Sequence, residues 1–187
     1  MLEELIKTVE VLKAGGTILY PTDTIWGIGC DATNNRAVQK VYKIKQRQFA
    51  KSMIILLDRE EKLTQYVKKV PDTAWDLLSN ITTPLTIIYP NAKNLAKSVI
   101  ARDKTIAIRI VKNEFCQKLI SMFNKPIVST SANLSDDPIP LTFKEISPII
   151  KENVDYIVDL YKNSIQQIKP SMIIKLEEDG EFKVIRS

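Results

Sequence analysis

Apolar residues recur with two different spacings in successive segments of the chain, and each spacing predicts a different kind of element. Helical spacing predicts helices over residues 2–12, from 34 or 35 onwards, and over 60–67, 72–78, 114–123 and 143–152. Short β-rich runs predict strands over 17–20, 52–57, 85–90, 105–111, 126–133 and 156–160. The last residues, 171–187, predict a β-hairpin with Asp179 and Gly180 in a type I′ turn. Because helices and strands alternate without repeats or linkers, the pattern predicts one α/β domain over residues 1–187.

Composition limits the classes of protein that fit this pattern. Hydrophobic residues make up 44% of the chain and charged residues 26%, which is ordinary for a globular protein. No apolar run approaches the ~20 residues of a membrane span, and Glu3 and Glu4 stand where a signal peptide has basic residues. Two cysteines, Cys30 and Cys116, are too few for a metal cluster. We therefore expect a cytosolic protein in a reducing compartment, without a membrane segment.

Charge and the absence of histidine narrow the chemistry. The net charge of +5 favours anionic partners such as nucleotides or nucleic acid, although a lysine-rich solvated surface explains it equally well. The chain has no histidine, which excludes Ser-His-Asp and Cys-His catalysis and histidine metal sites. Any reaction must therefore depend on positioning, charge and hydroxyl groups.

Two polar clusters lie in the first half of the chain, at predicted loops where open α/β sheets usually bind ligands. In the first, residues 21–29, the Asp and Thr side chains either bond their own backbone in a turn or bind a ligand. The second contains Lys45, Arg47 and Lys51, and cations at this position also stabilise a helix C-terminus. Lys45, however, continues the apolar stripe of its helix and must be partly buried. Since a buried ammonium needs a partner, we expect a phosphate there.

Two more clusters lie on predicted strands. Arg109 lies on the face opposite Ile106 and Ile108. It is therefore either a surface residue of an edge strand or a bidentate ligand of a carboxylate. Residues 129–133, with three hydroxyls and Asn133, follow a buried run and either cap the next element or bind phosphate and ribose oxygens. The sequence has neither a GxxxxGK[ST] loop nor a GxGxxG loop, so neither common mode of ATP binding is supported.

Taken together, these motifs resemble the YrdC-like family, also called TsaC. PTDTIWGIGCDA, KIKQR with Lys51, TIAIR, PIVSTSANLS, KPSMII and the closing VIR occur in the family's order between Gly15 and Arg186. The chain departs from the family pattern where it has Gln48 after the KxR motif, ITTP before the LT strand, Asp136 after SANLS and Met172 after the C-terminal serine. These departures alter loop shape and one pocket hydroxyl, but none removes a charged residue of the motifs.

The resemblance implies a fold and an activity. The expected fold is a twisted open mixed α/β sheet with flanking helices and a large basic concave pocket. The expected enzyme is a threonylcarbamoyl-AMP synthase, a nucleotidyltransferase that makes threonylcarbamoyl-AMP and pyrophosphate from L-threonine, bicarbonate or CO2, and ATP, usually with Mg²⁺. A separate transferase complex then moves the threonylcarbamoyl group to the adenosine beside the anticodon of tRNA, and direct contact with tRNA is possible.

The resemblance also implies roles for individual residues. Thr22, Arg109, Ser129 and Ser171 are expected to bind threonine, with Arg109 on its carboxylate. Lys45 and Arg47 are expected to be catalytic and, with Lys51, to face the triphosphate. The remaining nucleotide-binding residues are expected to be Thr105, Ser131, Asn133 and Arg186. No protein ligand for a metal is expected.

Two other functions remain open. An RNA-binding module would fit the basic charge, but modules that stack bases expose aromatic residues on a sheet, and only 7% of this chain is aromatic. A domain related to the carbamoyltransferase of hydrogenase maturation is the second alternative. The full version of that protein carries zinc-binding cysteine motifs, which two cysteines cannot supply.

Overall fold

The computed structural model describes residues 1–46, 53–135, 137–163 and 170–187. Its helices are α1 (Leu2–Lys13), α2 (Asn35–Ile44), α3 (Leu63–Tyr66), α4 (Asp72–Asn80), α5 (Glu114–Phe123) and α6 (Pro148–Asn153). Its strands are β1 (Ile18–Tyr20), β2 (Gly27–Gly29), β3 (Ile54–Leu57), β4 (Leu85–Tyr89), β5 (Ile106–Ile110), β6 (Ile127–Ser131), β7 (Tyr156–Ile157), β8 (Met172–Leu176) and β9 (Phe182–Arg186).

The strands form one mixed sheet in the order β7-β1-β2-β6-β3-β5-β4-β8-β9. The pairs β1–β7, β3–β5 and β4–β8 are parallel, and the other pairs are antiparallel. The prediction of an open mixed α/β sheet with flanking helices is confirmed. No helix in the described part of the chain is long and apolar enough to cross a membrane.

Alternation along the strands creates a core on each face of the sheet. On β3, Leu56 packs with α1 and α5, whereas Ile55 and Leu57 belong to the core on the opposite face. Helices α1 and α5 contact each other, β1 and β3, and so cover one face over that part of the sheet. Further along the same face, from the ends of β6 and β3 across β5 and β4 to β8, lies the pocket described below.

The structure corrects three predictions about local elements. Residues 27–29, predicted as loop, form β2, because β1 and β6 pair with this segment from both sides although two of its three residues are glycine. The helix predicted over 143–152 is a 3-10 turn followed by α6, which begins at Pro148 behind the N-cap Ser147, since proline lacks the N–H that a helix interior needs. The segment 60–67 likewise combines a 3-10 turn with the short α3.

The C-terminal hairpin is present, but its turn differs from the prediction. A type I′ turn needs a positive φ at both central residues, and Asp179 does not have one. Instead the Gly180 N–H donates to the Glu177 carbonyl at 3.1 Å, and Gly180 has a φ of +92°. Glycine is therefore needed one position after the centre of the turn, where the chain returns to β9.

Candidate functional site

A pocket of about 280 Å³ opens on the face of the sheet that Arg109 shares with Leu56. Strand register explains how distant residues meet there. One row across the sheet consists of Ser129, Ile54, Ala107 and Ile88, from β6, β3, β5 and β4. The adjacent row contains Arg109, Thr86 and Ile173, from β5, β4 and β8. All of these residues except Thr86 line the pocket.

The described lining carries two positive charges, Arg109 and Arg186, and no carboxylate. Burial, and after it the neighbouring charge of Arg109, lowers the pKa of Arg186. The positive charges of the two guanidinium groups repel each other, so the binding of an anion in the pocket is favourable. The predicted basic character is thus supported, whereas the predicted large size stays a prediction.

Arg109 is the central cation of the site. Its strand lies between β3 and β4, so the interpretation as a surface residue of an edge strand is wrong. Ile106 and Ile108 enter the core, as alternation predicts, and the arginine is only 5% exposed. Its Nη1 donates to Thr24 Oγ1 at 3.2 Å, and its Nη2 lies 3.2 Å from Asp23 Oδ1. Its Nε is buried without a hydrogen-bond partner in the described structure, so the guanidinium retains donors for a ligand.

Thr22 lines the pocket, but its hydroxyl is occupied by the turn that contains it. Oγ1 donates to the Ile25 carbonyl at 2.7 Å and accepts from the Thr24 and Ile25 N–H groups at 3.1 and 3.3 Å. The turn interpretation of this motif is therefore correct for the hydroxyl. The methyl carbon Cγ2 points instead towards Gly27, 3.4 Å from where a Cβ on that glycine would lie.

Ser129 and Ser131 both line the pocket, and Asn133 supports the second of them from behind. The Ser131 hydroxyl donates to Asn133 Oδ1 at 2.5 Å, while the Asn133 side-chain amide donates to the Asp137 carbonyl at 2.6 Å. Asn133 is not part of the described lining. The Asn133 side chain therefore connects Ser131 to Asp137 and fixes the conformation of the loop after β6.

Ser171 and Arg186 form the wall contributed by the C-terminal hairpin. The Ser171 hydroxyl is 2.7 Å from the hydroxyl of Thr86, which is fully buried on β4. The Ser171 carbonyl accepts from Arg186 Nε and Nη2 at 3.1 and 2.8 Å. Both sides of Ser171 are thus fixed, one by β4 and the other by the last strand.

Lys45 is buried, as predicted, with an exposed fraction of 1%. The sequence predicted a phosphate as the partner of its ammonium, but the structure shows partners within the protein. Its Nζ donates to the Ser131 carbonyl at 2.5 Å, to the Asn133 carbonyl at 2.6 Å and to Asn133 Oδ1 at 3.3 Å. Its own carbonyl accepts from the Ser135 N–H at 2.9 Å. Lys45 thereby holds the loop after β6, and a contact with phosphate stays a prediction.

The structure does not bring every predicted residue to the pocket. Thr105 precedes β5, outside the described lining, and its hydroxyl donates to Asp103 Oδ1 at 2.7 Å within a turn. Arg47 and Lys51, as well as Gln48 and Asp136, lie outside the described residues. Among the residues described, no three acidic or cysteine side chains are grouped so that they could hold a metal ion.

Sequence reasoning missed three residues at this site. Asp23 and Thr24 were part of a recognised motif, but nothing in the local pattern indicated that they contact Arg109. Thr86 had no polar neighbour to mark it, and only its cross-strand pairing with Arg109 and its contact with Ser171 reveal its place. Thr86 could have been suspected as the single aliphatic hydroxyl in the otherwise apolar and aromatic strand LTIIY.

Comparisons with known proteins agree with this geometry. The family model described as Sua5_yciO_yrdC, telomere recombination, matches residues 10–187. The threonylcarbamoyl-AMP synthase of Pseudoalteromonas translucida (strain TAC 125) is 37% identical over 154 residues, which are 81% of this chain and 82% of that protein.

Solved structures show the same architecture. E. coli YciO superposes with a TM-score of 0.86 at 25% identity, over 100% of this chain and 89% of YciO. P. abyssi Sua5, solved in complex with L-threonine, superposes with a TM-score of 0.85 at 24% identity over 99% of this chain. The chain spans about half, 54%, of that Sua5 chain, and the likeness to it shows a shared fold.

Proposed function

Because the chain belongs to the Sua5/YciO/YrdC family, we propose that it is a threonylcarbamoyl-AMP synthase. It joins L-threonine, bicarbonate and ATP into threonylcarbamoyl-AMP and releases pyrophosphate. Relatives with this name that are more than a third identical to the chain support the assignment. The observation that carries it is the buried Arg109, which retains unpaired donors inside a pocket that has no carboxylate in its described lining.

Arg109 binds the carboxylate of threonine in this proposal. A guanidinium buried to 5% exposure needs a counter-charge, and Asp23 supplies one on the Nη2 side. The unpaired Nε and the remaining N–H groups leave room for a second carboxylate, which a planar guanidinium can hold with two parallel hydrogen bonds. Thr24 and Asp23 fix the orientation of the guanidinium before the substrate enters.

The reaction that follows needs no histidine. The amine of threonine attacks bicarbonate or CO2 to form a carbamate, with water leaving when bicarbonate is the reactant. A carbamate oxygen then forms a bond to the α-phosphorus of ATP, and the bond to the β-phosphate oxygen breaks as pyrophosphate leaves. Such a displacement depends mainly on alignment and on neutralising negative charge. The chain contributes fixed cations and hydroxyls to both requirements.

We assign the nucleotide to the parts of the pocket lined by Ser131, at the end of β6, and by Arg186, on the C-terminal hairpin. Both line the pocket, and Arg186 brings the second positive charge. Asn133 and Lys45 act through the loop that they hold, by fixing the Ser131 hydroxyl and its backbone. Arg47 and Lys51 complete the triphosphate site in this proposal. Thr105, which precedes β5 outside the described lining, stays a predicted nucleotide contact. Mg²⁺ is expected to arrive with the phosphates of ATP.

The same proposal includes a cellular role. The product is an activated acyl donor, which a separate transferase complex would consume when it modifies the adenosine beside the anticodon of tRNA. Both cysteines, Cys30 and Cys116, are buried free thiols, which is consistent with a reducing cytosol.

The test is a reaction with ATP, L-threonine and bicarbonate in which pyrophosphate release is measured and the product is identified by mass spectrometry. We expect release to require both threonine and bicarbonate and the product to have the mass of threonylcarbamoyl-AMP. Pyrophosphate release that is independent of threonine, or no release by folded protein with all three substrates, would contradict the proposal.

A further inference from the structure

We infer that Gly27 determines which amino-acid side chains the pocket accepts, because the missing Cβ leaves a small subsite between the Thr22 methyl group and the Ser129 hydroxyl. The inference rests on the proposed function and adds to it a residue that selects the size of the substrate. The subsite is suited to a β-carbon that carries one methyl and one hydroxyl group.

The backbone gives no reason for glycine at this position. Gly27 lies inside β2, and the only glycines with a positive φ in the described chain are Gly15 and Gly180. A glycine inside a strand weakens it, and often marks a place where another group approaches the backbone closely. Something other than backbone conformation must therefore account for Gly27.

Comparison with Gly29, on the same strand, distinguishes a glycine required by the packing of the protein from one that borders the pocket. A Cβ on Gly29 would lie 2.6 Å from the Val128 carbonyl oxygen and 2.7 Å from Tyr20 Cε1, so the protein's own packing requires glycine there. A Cβ on Gly27 would be 3.2 Å from Ser129 Oγ, a side-chain atom at the pocket wall, and 3.5 Å from the Thr130 carbonyl oxygen. A methyl group at Gly27 therefore makes its tightest contact with a side-chain hydroxyl, which has to shift by a few tenths of an ångström, and the methyl group would also narrow the pocket.

Contacts connect this space to the carboxylate site. Arg109 Nη1 is 3.2 Å from Thr24 Oγ1, which is 3.2 Å from Thr22 Oγ1. The same Thr22 side chain presents its methyl to Gly27. Arg109 and Gly27 line the same pocket, and in this inference an amino acid whose carboxylate binds Arg109 directs its side chain towards Gly27.

The atoms around that space match the substituents of threonine. The Thr22 methyl offers an apolar contact, while Ser129 Oγ can accept a hydrogen bond from a substrate hydroxyl. One methyl group in a fitted pocket changes specificity by ~10–200-fold. Filling the space should therefore reduce the use of threonine more than the use of smaller amino acids.

The experiment compares Gly27→Ala with the wild type, using threonine, serine and glycine as acceptors. We expect the threonine-to-serine ratio of kcat/KM to fall by about 10-fold or more in Gly27→Ala, while glycine is used about as well as before. Ala14→Ser, which adds one atom at an exposed position outside the described lining of the pocket, is the matched control and should preserve the ratio. An unchanged ratio in Gly27→Ala, or an equal loss for all three amino acids, would overturn the inference.

A second variant tests the subsite without adding an atom to β2. Thr22→Ser keeps the hydroxyl that closes the turn and removes only Cγ2, so it enlarges the subsite. We expect it to improve the use of 3-hydroxyvaline, which is threonine with one more methyl group, by about 10-fold relative to threonine. No gain for 3-hydroxyvaline in folded Thr22→Ser would also count against the inference.

Calorimetric titration with the amino acids distinguishes failure of the inference about Gly27 from failure of the proposed function. If the wild type makes threonylcarbamoyl-AMP and binds threonine but Gly27→Ala shows unchanged selectivity, only the inference about Gly27 fails. If the wild type neither binds threonine nor uses it, the proposed function fails, and the inference fails with it.

Discussion

Replacing Lys45 with methionine tests whether this lysine supports the loop after β6 or instead contacts the phosphates directly. Methionine has a similar length and no charge, so the cavity stays filled while the described contacts of Nζ with Ser131 and Asn133 are lost. The two backbone carbonyls of Ser131 and Asn133 then lose their donor in a buried place. The observed contacts therefore predict a loss of stability in addition to the loss of activity that a catalytic role implies.

The magnitude follows from these contacts. A buried carbonyl left without a donor costs about 1–3 kcal/mol, and two are affected. Removing the ammonium offsets part of this, because a buried ion carries a desolvation penalty of several kcal/mol. We expect Lys45→Met to lower the free energy of unfolding by about 2–4 kcal/mol. In a protein of this size about 1 kcal/mol corresponds to ~2–4 °C, so the melting temperature should fall by roughly 5–15 °C.

The assay is thermal unfolding of Lys45→Met, followed by pyrophosphate release at a temperature where the variant is folded. The matched control is Lys43→Met, which removes a positive charge from an exposed position on the same helix and should change stability by no more than about 0.5 kcal/mol. Loss of pyrophosphate release at an unchanged melting temperature would refute the structural role. It would indicate that Lys45 leaves these carbonyls and neutralises phosphate.

Three further predictions concern Arg109, Asp23 and Asp58. Arg109→Lys keeps the charge but loses the planar fork, so the KM for threonine should rise by ~10-fold or more while ATP binding, followed by calorimetry, changes little; an equal loss for both substrates would argue against the clamp. Asp23→Asn leaves Arg109 without its buried counter-charge and should reduce the free energy of unfolding by about 3 kcal/mol. Because the threonine carboxylate would then supply that counter-charge, threonine should raise the melting temperature of the variant more than that of the wild type. Equal increases in the two proteins would contradict this. Burial raises the pKa of Asp58, but hydrogen bonds from Lys62 and Arg59 outweigh it and leave the pKa below its ordinary value of 3.8. The stabilisation by the carboxylate is therefore complete above that value and is lost as the pH falls through the lowered pKa, so the stability gap between wild type and Asp58→Asn should narrow in acid unfolding experiments; a gap independent of pH would contradict this.

Local patterns in the sequence determined most elements and the faces of the strands. Alternation in TIAIRIV placed Ile106 and Ile108 in the core and Arg109 opposite them, and the structure agrees. The stripe of α2 likewise predicted that Lys45 is buried. Such predictions succeed because side-chain direction repeats every 2 residues in a strand and about every 3.6 in a helix, whatever the rest of the chain does.

Contacts between distant segments were decided by the tertiary structure alone. The Gly27–Gly29 segment is a strand only because β1 and β6 both pair with it, and glycine carries no strand signal of its own. The partners of Lys45 are mainly backbone carbonyls, which every residue has and which no sequence pattern can distinguish. Thr86 meets Arg109 and Ser171 because strands far apart in the chain pair in one register, and register depends on how the whole sheet packs.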